Sequence, residues 1–235
     1  ISNRKVKSFG FNYIDEKTNK RVINIIKSKI NKDTLYGFPE IFSKNIISNH
    51  NDGPASFTPD GKKIYYARPK DISSSKTSRK NKNDNAGIYT ADFVNGEWTN
   101  IRPLSFNNPD FILTQPAISP DGNSIVFASN LPGTLGQADL FISRKVNGEW
   151  TKPVNLGNEF NTAKFEGYPF IQFNGDLYYS SDGLNGREDK DFYKCRFNGK
   201  SWEAPVPLSE PFNSVADEIG FYLNFSQHQG YFSSD

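Results

Sequence analysis

The residues of this chain that could do acid–base, nucleophilic or metal chemistry are few and widely separated. There are two histidines, His50 and His228, and a single cysteine, Cys195. Two isolated imidazoles and one thiol cannot make a histidine metal cluster. Cys195 lies in DFYKCRF, a strand-like stretch that suits a buried structural thiol better than a nucleophile. The patterns GxSxG and HExxH do not occur, so neither a serine elbow nor a helical zinc motif is present. The sialidase box Ser-x-Asp-x-Gly-x-x-Trp also fails, because TPDGKKI puts Gly61 directly after Asp60 and carries no tryptophan. No catalytic residue, metal set or cofactor site is assigned, and the chain is expected not to be an enzyme. With 26 Asp plus Glu, a carboxylate pair acting on a glycoside is the one catalytic chemistry left open.

Two constellations fit binding. Asp52, Glu166 and Glu218 each stand ten residues after an apolar anchor (Phe42, Leu156, Leu208), while Thr114 breaks the series. Brought to one channel mouth, they would form a partial ring for a cation or a basic side chain. The competing reading is that each caps a turn of its own unit by accepting backbone N–H bonds. The second constellation is the polar stretch KDISSSKTSRKNKNDN at 70–85. It is either a flexible surface loop or a docking arm whose Lys76, Arg79, Lys80 and Lys82 meet an acidic partner. DGLNGREDKD at 182–191 resembles a calcium loop but lacks the alternation of an EF-hand.

The elements that must position these groups are set by an internal repeat. FVNGEWTNIRPL, KVNGEWTKPVNL and RFNGKSWEAPVPL carry every tryptophan of the chain, Trp98, Trp150 and Trp202, at intervals of 52 residues. Tyr89, Phe141 and Tyr193 keep the same interval before them, and Leu104, Leu156 and Leu208 keep it after them. Such periodicity decides the fold. Asn-Gly at 95–96, 147–148 and 198–199 is a hairpin signal, since both turn residues favour positive φ. A second bend comes from TPDG at 58–61, SPDG at 119–122 and FNGD at 173–176, placing Gly61, Gly122 and Gly175 where the chain turns back.

The segments between these bends, such as KIYYAR, SIVFAS and DLYYSS, are apolar on consecutive residues, so both faces are covered. Four short antiparallel strands per repeat, covered on both faces, describe a blade, and the fold expected is an all-β propeller. The blades are read as 54–115, 116–167 and 168–219, with a partial blade over 1–53 and the start of another at 220–235. Each tryptophan is expected to wedge one blade against the next, and Asp139 and Asp191, at blade spacing, to be structural hydrogen-bonders.

Charge is nearly balanced, 28 Lys plus Arg against 26 Asp plus Glu, which gives no case for nucleic acid. No apolar run is long enough to span a bilayer. Methionine is absent, and the final YFSSD matches YYSSD at 178–182, in mid-repeat. The chain is therefore read as a piece of a longer protein, within a ring of six to eight blades.

The second and third copies carry a resemblance. Ser119-Pro120-Asp121-Gly122, the FAS strand, Asp139-Leu140-Phe141 and the Trp150, Leu156, Asn161-Thr162 tail are similar to the WD40-like, TolB-type repeat called PD40. They are especially similar to its version in envelope proteins that also carry an OmpA-like domain. The resemblance implies a protein-interaction scaffold in the periplasm, belonging to an outer-membrane secretion or gliding (type IX) assembly and held by an N-terminal lipid outside this sequence. Its partners would be other envelope proteins, with peptidoglycan reached only through a domain not in this chain. A carbohydrate-binding or carbohydrate-active propeller is the alternative. The first copy departs from the pattern: Gly87 replaces the aspartate, and Ala67 to Gly87 spans 20 positions where Ser129 to Asp139 spans 10.

Overall fold

The computed structural model describes residues 24–29, 39–48, 51–69, 86–184, 189–224 and 229–234. The arm bearing Lys76, Arg79, Lys80 and Lys82 lies outside them, as do His50 and His228. All regular structure among the described residues is β.

Three antiparallel sheets, of four, five and four strands, follow one another along the chain. The first blade is β3 (Ala55–Phe57), β4 (Lys63–Pro69), β5 (Ala86–Val94) and β6 (Glu97–Pro103), hydrogen-bonded in that order. In the second, β7 (Leu113–Ile118), β8 (Ser124–Ser129) and β9 (Asp139–Val146) are edged by two short pieces. These are β10 (Glu149–Trp150) and β11 (Val154–Asn155), both paired to β9, and Pro153 lies in the gap between them, as expected of a residue that cannot donate to a ladder. The third is β12 (Glu166–Ile171), β13 (Leu177–Ser181), β14 (Asp191–Cys195) and β15 (Val206–Pro207). A hairpin of β16 (Glu218–Asn224) and β17 (Gln229–Ser234) begins a fourth blade, and β1 (Ile26–Lys27) pairs with β2 (Glu40–Ile41) ahead of the first. This is the blade architecture of a β-propeller.

Local chemistry accounts for the turns. Asn95 and Gly96 have φ of 52° and 87°, and Asn147 and Gly148 have 52° and 84°, the two positive values that a tight primed turn needs. Asn198 does not share this geometry: one extra residue, Lys200, widens the turn, and the Asn198 side chain instead accepts the N–H groups of Lys200 and Ser201. In the SPDG turn Asp121 accepts the Ser119 hydroxyl and the Asn123 N–H, and Gly122 takes φ of 71°. Gly61 and Gly175 occupy the equivalent bends.

The core lies between the sheets. Strand residues 64–67, 125–129 and 177–181 are buried on both faces. A matched aromatic pair crosses the second and third strands of every blade: Tyr66–Tyr89 at 6.3 Å, Phe127–Phe141 at 6.3 Å and Tyr179–Tyr193 at 6.0 Å. Each tryptophan packs toward the preceding blade. Trp98, 7% exposed, meets Phe42 and Ile46. Trp150 stands edge-on to Tyr65 of the first blade at 6.0 Å, with the Lys145 ammonium over its ring at 4.7 Å. Trp202 borders the cluster that joins Ala117 and Val126 of the second blade to Tyr179 and Tyr193 of the third, and its indole N–H donates to the Gly175 carbonyl.

Cys195 is fully buried in that cluster, and burial pushes its thiol up to about 12. Alkylation by iodoacetamide at neutral pH is expected to follow global unfolding across a urea titration. Labelling of the native chain at the rate of free cysteine would show that the second and third blades are not packed together.

Candidate functional site

The innermost strands β3, β7, β12 and β16 converge on a cleft of ≈ 610 Å³ at the propeller axis. Each reaches it through a kink. The ladders shift register between Thr114 and Ala117, between Gly167 and Phe170, and between Ile219 and Tyr222. At those points Gln115, Tyr168 and Gly220 have φ of 55°, 52° and 69°. A bulge of this kind re-aims side chains. The repeat position held by Tyr168 and Gly220 is therefore Gln115 and not Pro116, because the link into the second blade is one residue shorter. The inner strands accordingly start at Leu113, Glu166 and Glu218, two to three residues before the boundaries read from the sequence.

Neighbouring inner strands are stitched by side chains. The Ile118 N–H donates to Ser56 Oγ at 3.1 Å, and the Tyr168 N–H donates to Gln115 Oε1 at 2.8 Å. A Cβ on Gly167 would lie 2.6 Å from that oxygen, so a larger residue would have to push the Gln115 amide aside. The lining is otherwise mostly aromatic, aliphatic and prolyl, with Phe57, Phe170 and Tyr222 around Pro116 and Pro169, and among the described residues it includes no charged one. Such a surface binds apolar and aromatic groups and orients them by a few hydrogen bonds.

The three carboxylates read as a channel-mouth ring do not line this cleft. Asp52, Glu166 and Glu218 are 3%, 0% and 0% exposed and are turned into the links between blades. Asp52 accepts the N–H and hydroxyl of Ser48, Glu166 those of Thr162, and Glu218 the hydroxyl of Ser214. The partner always lies four residues earlier. Glu166 and Glu218 also accept a hydroxyl from the second strand, Ser181 and Ser234. They do not form a ring among the described residues, because each is held by these bonds in its own inter-blade link. In the second blade the matching residue is Leu113, paired to Ser129 as Glu166 is to Ser181.

Asp139, fully buried, accepts the Leu135 and Gly136 N–H groups and the Asn155 amide, tying the bend before its strand to the outer edge. Asp191 is buried at the equivalent place. The two seams with an aspartate on the third strand also carry a glutamate on the next inner strand: Asp139 with Glu166, and Asp191 with Glu218. Where Gly87 replaces the aspartate, Leu113 replaces the glutamate. In the first blade Arg68 takes the serine position opposite Gly87, lies 3.9 Å from Asp52 and stacks over Tyr89 at 5.1 Å.

A repeated amide completes the frame. Asn107, Asn161 and Asn213 each accept the N–H and donate to the carbonyl of one third-strand residue, Ile88, Leu140 and Phe192 respectively. Only Asn161 stands out in the sequence; aligning on the leucine anchors would have revealed the other two, three and five residues beyond them.

Burial holds the Glu166 carboxyl above the ordinary range, with the charge of Asp139 acting the same way, against the bonds from Thr162 and Ser181. A folded-state value raised above the unfolded one, about 4.3, gives stability that is present below it and declines as pH rises through the folded value. Urea unfolding of a Glu166→Gln variant is expected to lack that decline as pH rises above about 4. A difference from the parent that does not change with pH would contradict the assignment.

No protein-family model matches the sequence, and no curated protein matches it. Among solved structures it is similar to TolB from Acinetobacter baumannii, with 18% identity over 73% of this chain and 35% of that one and a TM-score of 0.44. It is similar to a putative TolB from Agrobacterium tumefaciens, with 17% identity, 81% and 70% coverage and a TM-score of 0.47. It is also similar to a gluconolactonase from Xanthomonas campestris, with 11% identity, 90% and 62% coverage and a TM-score of 0.49. The chain thus spans about a third of the Acinetobacter TolB. Identities this low speak to fold alone. They correct one expectation: with a gluconolactonase, peptidases and a sialidase standing beside TolB, the exclusion of enzymes drawn from the sequence does not stand.

Proposed function

We propose that this propeller is a protein-recognition scaffold of the bacterial cell envelope, a periplasmic component of an outer-membrane secretion or gliding assembly, and that its axial cleft receives a segment of a partner protein. The observation that carries the reading is the cleft itself. Four inner strands present aromatic rings and prolines to it and, among the described residues, no charged side chain, a surface that fits a partner's apolar segment. Placement in the envelope rests on the PD40 resemblance, and in a ring of six to eight blades the cleft would be the mouth of the central channel. A carbohydrate ligand is the second reading, favoured by Tyr222, whose ring is 46% exposed at the cleft and could stack on a sugar face.

Cross-linking in intact cells followed by mass spectrometry tests the proposal. Outer-membrane secretion proteins should be enriched with the parent chain and lost with Phe57→Ala. Enrichment that survives this substitution, or recovery of glycans alone, would count against it.

A further inference from the structure

The hairpin β16–β17 repeats the first two strands of a blade in the same register. Glu166 pairs with Ser181 as Glu218 does with Ser234, and Phe170 pairs with Tyr178 as Tyr222 does with Tyr231. Phe232 therefore stands where the complete blades have Tyr66, Phe127 and Tyr179, each 0% exposed, yet it is 43% exposed. It already meets Phe192 of the third blade across the seam, at a ring distance of 5.9 Å. What it lacks is a neighbour along its own sheet. β4, β8 and β13 each pair with a third strand, β5, β9 and β14, whereas β17 pairs with β16 alone among the described residues. Nor is this edge guarded. The outer strands β6 and β15 end in Pro103 and Pro207, which blunt an edge against further pairing. Gln-Gly-Tyr-Phe-Ser-Ser in β17 has neither proline nor charge.

We infer that β17 is an acceptor edge and that it takes, antiparallel, the third strand of a repeat of this same kind. The molecule displays three times what such an edge holds. Tyr66, Phe127 and Tyr179 stand directly opposite Tyr89, Phe141 and Tyr193, so Phe232 calls for an aromatic residue. Ser129 and Ser181 stand opposite Asp139 and Asp191, while Arg68 stands opposite Gly87. With serine at 234, the occupant carries an aspartate two residues before its aromatic. Main-chain hydrogen bonds of the new ladder supply the affinity, and the ring pair selects the register.

The test is fluorescence anisotropy of a fluorescein-labelled peptide spanning residues 138–156 of this chain, titrated with the purified chain. That peptide holds one such third strand and its outer hairpin, and a scrambled peptide of the same composition is the control. Saturable binding is expected, weakened about three- to tenfold by Phe141→Ala in the peptide or by Phe232→Ala in the chain, the worth of one aromatic pair. Combining the two changes should cost no more than either alone, because the two rings meet each other. The circular dichroism of Phe232→Ala should match the parent. No binding, equal binding of the scrambled peptide, or losses that simply add would overturn the assignment. Sedimentation velocity of the chain alone should show a monomer. A dimer that the peptide does not dissociate would give the edge to a second copy and overturn the assignment likewise.

Discussion

Replacing Trp98 with alanine is expected to lower the unfolding free energy by about 3–5 kcal/mol, read as a shift of the urea midpoint. The indole is 93% removed from solvent, the complement of its 7% exposure. Phe42, Phe57 and Phe93 surround it at ring distances of 5.5, 6.0 and 5.1 Å. These rings come from the preceding link, the inner strand and the outer hairpin, so no single neighbour can collapse into the space. The cavity is therefore kept, which places the cost at the upper part of the range for large-to-small changes. Trp150 and Trp202, which are only partly buried, should cost less. Equal and small losses at all three would mean that the indoles do not wedge the blades.

The second large effect is expected at Arg68. Its guanidinium lies 3.9 Å from the fully buried side chain of Asp52, and it stands over Tyr89 beside Tyr66. Arg68→Ala removes one member of a buried pair, a change costing about 3–5 kcal/mol. Changing Asp52 to Asn in the same chain should recover much of the stability, because no charge is then buried. No recovery in the double variant would show that Arg68 acts through packing alone.

The sequence disclosed the repeat and hid the cleft, for a physical reason. Blade identity rests on local chemistry repeated at a fixed interval: Asn-Gly turns, Ser-Pro-Asp-Gly bends, and an aromatic residue nine positions before each tryptophan. These can be read without knowing how the units stand. The cleft is made by Ser56, Gln115, Phe170 and Tyr222, which belong to four different repeats, have different chemistry in each, and meet only on the axis. The carboxylate series misled for a related reason. Asp52, Glu166 and Glu218 occur at the spacing of an axial ring, but their hydroxyl partners, Ser48, Thr162 and Ser214, are four residues back, and that local bond wins over the axis. Thr114 stands at the spacing of the series, but its structural counterpart is Leu113, because a link shortened by one residue slips the alignment. Arg68 gave no signal alone; opposite Gly87 it explains why the first blade can dispense with its aspartate.

The account depends on sheets standing side by side with aromatic rings in contact across the seams, and Tyr65 with Trp150 is the pair that reports this directly. A double-mutant cycle of Tyr65→Ala and Trp150→Ala, measured by urea unfolding, should return a coupling of about 0.5–1.5 kcal/mol for an edge-to-face pair. A coupling of zero would place the first and second blades out of contact, and the axial cleft they help to form would go with it.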